Sequence, residues 1–368
     1  MNALYILGAN IIAALSNEAR FQCMAHRLST VLNDAWKSTK EEHEQFNLFD
    51  IAVHSLVAYV NKSSGIQEHL PKTIKSPSGT RPWRTFFLVH DSILSSYEAL
   101  RDILITRNEE HRVLQISPAL LKEIVNFFGK FNKIFDKLEM SDKPTLQNVI
   151  PTYYLIVSDV CAEANSDSDT LRFFKRKVIA GMNEKYWSST TEMHKIACIL
   201  DPSFKALNFI RGREQLQFVK GVQRGLVQLL EQENEEETHH AVKRVHIAEE
   251  DDPFSALREA APVQLRNPST DTSADELKTE FQQYIEKQFR KPDNLCVFWK
   301  NSALDFPTLS SLAKKVLVIQ ASSGQSERHF SGSGEILSEK RNRLSADSVE
   351  ALTVLKEAHL NKLWPAKI

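Results

Sequence analysis

The amino-acid sequence predicts a mainly α-helical fold, and three observations carry that reading. Apolar residues recur at three- and four-residue steps over most of the chain. A single short run, residues 1–7 (MNALYIL), has the look of a strand, with no convincing partner nearby. Most segments combine an apolar stripe with a charged face, and a stack of antiparallel helices is the natural way to bury several such stripes at once.

The elements follow in order. The expected strand ends at Gly8-Ala9-Asn10, and a chain that opens on a lone strand is expected to begin inside a fold. From Phe21 the period turns helical, with Leu28, Val31, Leu32 and Ala35 in step. Phe46 to Val60 repeats the pattern through Phe49, Val53, Leu56, Val57 and Val60. Pro71 to Pro82 is rich in Pro, Ser and Gly and reads as a loop. Helices are then expected over 87–104, 118–138, 146–164, 168–187 and 216–231. Ser117-Pro118 is a helix opening, with serine as cap and proline at the first position. Residues 231–272 are acidic and poor in large apolar groups, so they read as a flexible linker. His239 and His240 within it read as part of a solvated acidic run, since nothing there fixes a coordination geometry. Helical periodicity returns at 275–289, and a dense terminal unit follows.

Composition narrows the function classes. The 368 residues are 42% hydrophobic and 25% charged, an ordinary globular balance large enough for more than one core. Basic and acidic side chains nearly cancel, 46 against 47, so affinity for a polyanion has to come from local patches. Cys23, Cys161, Cys198 and Cys296 form no CxxC pair, which argues against a disulfide scaffold or a zinc finger built on paired cysteines. No apolar run approaches the ~20 residues of a membrane span, and the start lacks a basic n-region, so an intracellular, reducing setting with no membrane partner is expected.

The last segment is the most specific. Trp299 is followed by Pro307-Thr308-Leu309-Ser310-Ser311-Leu312-Ala313, the apolar run Val316 to Ile319, and Ser322-Ser323-Gly324-Gln325-Ser326-Glu327-Arg328-His329-Phe330-Ser331. Lys340-Arg341-Asn342-Arg343-Leu344 comes about ten residues later. Residues 298–363 thereby resemble the carboxy-terminal dimerisation region of hAT-superfamily DNA transposases and of host proteins derived from them. Weaker matches lie upstream: Cys23 and His26 resemble a Cys-x-x-His element, Thr80-Arg81-Pro82-Trp83 a Thr-Arg-Trp element, and Leu200-Asp201-Pro202-Ser203-Phe204-Lys205 a Leu-Asp-Pro-Arg-Phe-Lys block.

The resemblance implies a truncated ribonuclease-H-like core interrupted by a large helical insertion, with a helical carboxy-terminal dimerisation unit. The expected divisions are 1–35 for the residual core segment, 36–230 for the insertion, 231–272 for the linker and 273–368 for the dimerisation region. Relatives of this kind cut DNA by two-metal phosphoryl transfer, with three carboxylates holding ions about 4 Å apart. Glu327 matches the third carboxylate. Ile6 stands where the second aspartate belongs, and the first would lie upstream, as would the BED-type zinc finger of many relatives. One carboxylate cannot hold two ions, so the expectation is a transposase-derived protein without strand cleavage and without cofactor. The rival expectation is an incomplete gene model of an active, magnesium-dependent transposase.

The remaining residues carry two readings each. Glu327 is a vestigial ligand or a helix-face acid paired with Arg328 or Lys340. Cys23 and His26 are too few to hold a metal and read as a buried thiol and a capping or core histidine. Trp83 matches a tryptophan that stacks near the DNA end in relatives, or packs locally. Arg328, Lys340, Arg341 and Arg343 form a DNA-binding candidate, a solvated helix end, or a weak nuclear-import patch. Leu309, Leu312, Val316, Phe330, Val349, Leu352 and Leu355 are the expected dimer interface, their apolar surface being covered by the rest of the fold or by a second copy. The expected partner is a second copy or a related hAT-derived protein, with DNA as a further one, in the nucleus.

Overall fold

The structure, a computed structural model, describes residues 21–76, 82–250, 274–324, 352 and 355, with the backbone alone for 82–83 and 233–250. Every regular element among them is helical. The mainly α expectation therefore holds for these residues, while the strand expected at 1–7 lies outside them. The chain divides into two units, Met1–Ala321 and Ser322–Ile368.

The first unit holds two hydrophobic cores. One is built from α1 (Met24–Glu42), α2 (Glu44–Lys62), α3 (Pro82–Ser95), α4 (Tyr97–Thr106), the single turn α5 (His111–Leu114), α6 (Pro118–Leu138), α7 (Val149–Leu155) and α8 (Asp169–Gly181). Trp36 sits at its centre, its ring 4.4 Å from Phe46 and 4.2 Å from Phe86, both edge-on, with Phe128 and Phe174 within 6.0 Å. Edge-to-face contact suits the ring quadrupoles, and the indole N–H is satisfied by donating to the buried Asp50 carboxylate at 3.1 Å. Lys40 pairs with the same carboxylate, so the buried charge is not left alone.

The second core joins α9 (Glu192–Ile199), α10 (Arg213–Glu250), α11 (Ala274–Glu286), α12 (Leu295–Asn301) and α13 (Pro307–Val316). From α10 it takes Phe218, Val222, Leu226 and Leu230, one face at four-residue steps.

Several expectations change. The helix expected at 87–104 is broken at Ser96, whose hydroxyl is engaged by the backbone of Lys72, accepting from its N–H and donating to its carbonyl. The boundary expected at residue 35 falls inside α1, which packs on α2 and α8 as part of the helical body. The flexible linker expected from 231 is helical as far as Glu250. Its acidic composition argues against a core, but Glu, Gln, Ala and Lys are strong helix formers, and the first proline comes only at Pro253. Residues 251–272 lie outside the described residues.

Candidate functional site: the C-terminal packing unit

The Leu-Asp-Pro block forms the joint on which the C-terminal helices rest. α9 ends at Ile199, and Asp201 turns the chain by accepting the Ser203 N–H at 2.8 Å. Pro202 supplies the fixed φ that such a turn favours. Burial raises the Asp201 carboxyl above its ordinary value, against the bonds from Ser203 and the pull of Lys291. The turn aims Lys205 at the far end of α11. Its ammonium donates to the carbonyls of Tyr284 at 2.6 Å and Ile285 at 3.0 Å, and to that of Lys287. These carbonyls end a helix, so their dipoles favour a cation. The same ammonium lies 5.0 Å from the Tyr284 ring centre and 4.6 Å from that of Phe289. Burial lowers the pKa of Lys205.

Two further bonds fasten α11 and α12 to the same turn. The Tyr284 hydroxyl donates to the Ile199 carbonyl and the Trp299 indole to the Leu200 carbonyl, both at 2.9 Å. Glu280 ties α11 to α13 by accepting the N–H groups of Leu309 at 2.7 Å and Thr308 at 3.2 Å. A carboxylate at a helix start satisfies donors that have no partner within the helix. Burial raises the Glu280 carboxyl, while those N–H bonds hold it down.

This arrangement corrects part of the expected interface. Leu309, Leu312 and Val316 are at most 1% exposed, packed into the chain's own second core. Of the two covers the sequence left open for this stripe, the rest of the fold is the one realised. Leu352 and Leu355 differ: each lies in a helix with its side chain 39% and 43% exposed. Phe330 and Val349 lie outside the described residues. Sequence reasoning missed Val297 and Leu304, exposed at 51% and 96%. They fall off the apolar period of their segments, and a residue off the stripe gives no packing signal.

The other candidates divide. Cys23 precedes α1 and is half-buried, not the fully buried thiol expected, and His26 is exposed on its first turn, so of the two readings of that histidine, capping or core, the core one does not hold. Among the described residues, no three His, Cys, Asp or Glu side chains converge as metal ligands. Trp83 stands at the second residue of α3, its backbone alone described. Glu327, Arg328, Lys340, Arg341 and Arg343 lie outside the described residues. The segment leading towards Glu327 is fixed up to Ala321, whose carbonyl accepts the Met24 N–H at 2.8 Å. Its own N–H donates to the Thr145 hydroxyl, also at 2.8 Å.

Known proteins match this chain in two ways. Residues 280–358 match the hAT family C-terminal dimerisation region. The match opens at the residue that holds α13 in place. The Hobo transposase of Drosophila melanogaster is 28% identical over 195 residues, 53% of this chain and 29% of the Hobo sequence. The AC transposase sequence of Zea mays is 25% identical over 210 residues, 50% of this chain and 24% of its own length. The alignments thus span only 24–29% of the length of these relatives. No described helix is long and apolar enough to cross a membrane. The motif order, the matched region and both relatives agree: over about half its length the chain is similar to these transposases, and residues 280–358 match the hAT family C-terminal dimerisation region.

Proposed function

We propose that the chain works by binding a second copy of itself, or a related hAT-derived protein, and does not cut DNA on its own. The observation that carries this reading is the exposed leucine pair within the matched dimerisation region. Leu352 and Leu355 are each helical and exposed, and their three-residue spacing in the sequence suits a single apolar helix face. Val297 and Leu304 are further apolar side chains exposed within the matched region. The helical middle is then scaffold, and the Lys205 and Glu280 joints hold α11 to α13 in one arrangement for the partner.

The absence of cleavage rests on donor chemistry. Ile6 takes the place of the second aspartate of the family pattern, and a hydrocarbon side chain offers no oxygen to a hard divalent ion. Glu327 is then an inherited acid without that second carboxylate beside it. The finer architecture proposed is a ribonuclease-H-like core whose helical insertion returns near its starting point. The Met24–Ala321 hydrogen bond supports this, since it brings together two points that flank almost the whole first unit. Nuclear location and a DNA contact through Arg328, Lys340, Arg341 and Arg343 belong to the same reading.

Two tests address it. Copies with different tags, co-expressed, should co-purify through either tag, and Leu352→Asp with Leu355→Asp should abolish this. Incubated with manganese and a DNA hairpin, the chain should leave the strand intact. Nicking that disappears in Glu327→Gln would establish the active transposase instead.

A further inference from the structure

α6 carries a charge pattern that neither the fold nor the self-association reading uses. Its buried face is Leu121, Ile124, Val125, Phe127, Phe128, Phe131, Ile134 and Leu138. On the opposite side lie Lys122, Asn126, Lys130, Lys133 and Lys137, all exposed. At about 100° per residue the four lysines fall within roughly 80° of one another, with Asn126 in the middle of the arc. They extend roughly 22 Å along the axis at 1.5 Å per residue. Among the described residues, none of the four has an ion pair or a side-chain hydrogen bond. The two acids at the borders of the arc are engaged. Asp136 pairs with Arg84 at 3.6 Å, and Glu123 accepts from the Ser168 N–H and hydroxyl. The stripe is therefore a row of uncompensated positive charge on a chain whose net charge is -1.

We infer that this face of α6 binds the phosphate backbone of duplex nucleic acid. A duplex carries one negative charge per about 1.7 Å of axis, so a straight stripe of this length faces several phosphates at once. Lysine is a flexible point charge suited to phosphate and indifferent to base identity, so the contact is sequence-independent. An anionic bilayer is the weaker fit. Interfacial helices seat an apolar face among the lipids, and α6 has no large apolar side chain exposed beside its lysines. This inference goes beyond the self-association reading and stands or falls separately from it.

The test is duplex binding by the full chain, measured by anisotropy of a labelled 30-base-pair DNA of arbitrary sequence across a salt series. Replacing Lys122, Lys130, Lys133 and Lys137 together by glutamine should weaken binding at least about tenfold at 0.1 M salt. It should also reduce the slope of log K against log salt by about 3 to 4, near 0.9 for each phosphate no longer neutralised. Arginine at the same four positions should restore both. Glutamine at the exposed Lys62, Lys220 and Lys300 should change neither, and co-purification of tagged copies should persist in every variant. Three results would overturn the inference: no duplex binding by the unaltered chain at low salt; a salt slope that survives in the stripe variant and vanishes when Arg328, Lys340, Arg341 and Arg343 become glutamine; or stripe-dependent binding to phosphatidylserine vesicles or poly-glutamate in place of duplex.

Discussion

Gly181 and Gly221 respond in opposite ways to an added methyl group. A Cβ on Gly181, at the end of α8, would meet Val31 Cγ1 of α1 at 2.9 Å. Valine is stiff at χ1 and cannot swing aside, so Gly181→Ala should destabilise the chain by about 1–3 kcal/mol. A Cβ on Gly221, inside α10, meets nothing within 4 Å. Gly221→Ala should stabilise by about 0.5–1 kcal/mol, because alanine loses less backbone entropy on entering a helix. Urea unfolding of the two variants checks both signs together. Burial lowers His90 and His194 to about 4, from an ordinary 6.5. His90 donates from Nδ1 to the Phe86 carbonyl while its Nε2 is buried without a partner, and Asp50 and His54 are the titratable groups acting on it. His194 accepts the Thr191 N–H through Nδ1, which requires a lone pair on that nitrogen. The folded pKa lies below the unfolded one for both. Their stabilising contribution is therefore complete above pH 6.5 and is lost as pH falls from there towards 4. The expected slope is about 1.4 kcal/mol per unit for each histidine. His90→Phe should flatten it by about that amount in unfolding measured between pH 7 and pH 5.

Helix caps decide which elements are legible in the sequence. α6 is readable to the residue because Ser117 and Pro118 mark its start and the period runs unbroken behind them. The Ser117 hydroxyl accepts the Leu120 N–H at 3.3 Å, as the pattern requires. α8 opens on Ser168, and there the cap also reaches across the fold. Ser168 accepts the Leu171 N–H at 3.2 Å and donates to Glu123 of α6. Ser117→Ala should cost about 1 kcal/mol, near the ordinary value for a cap. Ser168→Ala should cost more, because it also leaves Glu123 short of a donor, and Ser168→Ala with Glu123→Gln should fall short of the sum of the single changes. Chemical denaturation of the three variants measures this directly. The break at Ser96 and the run of helix to Glu250 are not legible, for different reasons. The first depends on Lys72, 24 residues away. The second sets helix propensity against low apolar content, and low content argues against a core, not against a helix.

At the scale of the molecule, one part of the terminal unit turns inward and another faces out. Residues 274–317 share a core with α9 and α10, so residues 273–368 cut from the chain would expose the stripe of α13 and could associate through it for that reason alone. Self-association therefore has to be read on the full chain. Sequence pattern carries the resemblance to hAT transposases through an ordered run of identities, and it identifies the apolar residues of the terminal unit. Periodicity alone cannot sort them into core and surface, since Leu309 and Leu352 lie on similar stripes. That requires the partner helices and the clamps made by Lys205 and Glu280, the former reaching across 79 residues of sequence to Tyr284. Sedimentation equilibrium of the full chain at micromolar concentration tests the central claim most directly. The mass should be twice 42.0 kDa. It should fall to the single-chain value in Leu352→Asp with Leu355→Asp, with the helical signal and melting cooperativity retained. A single-chain mass for the unaltered protein up to high micromolar concentration, or a dimer indifferent to both substitutions, would contradict the account.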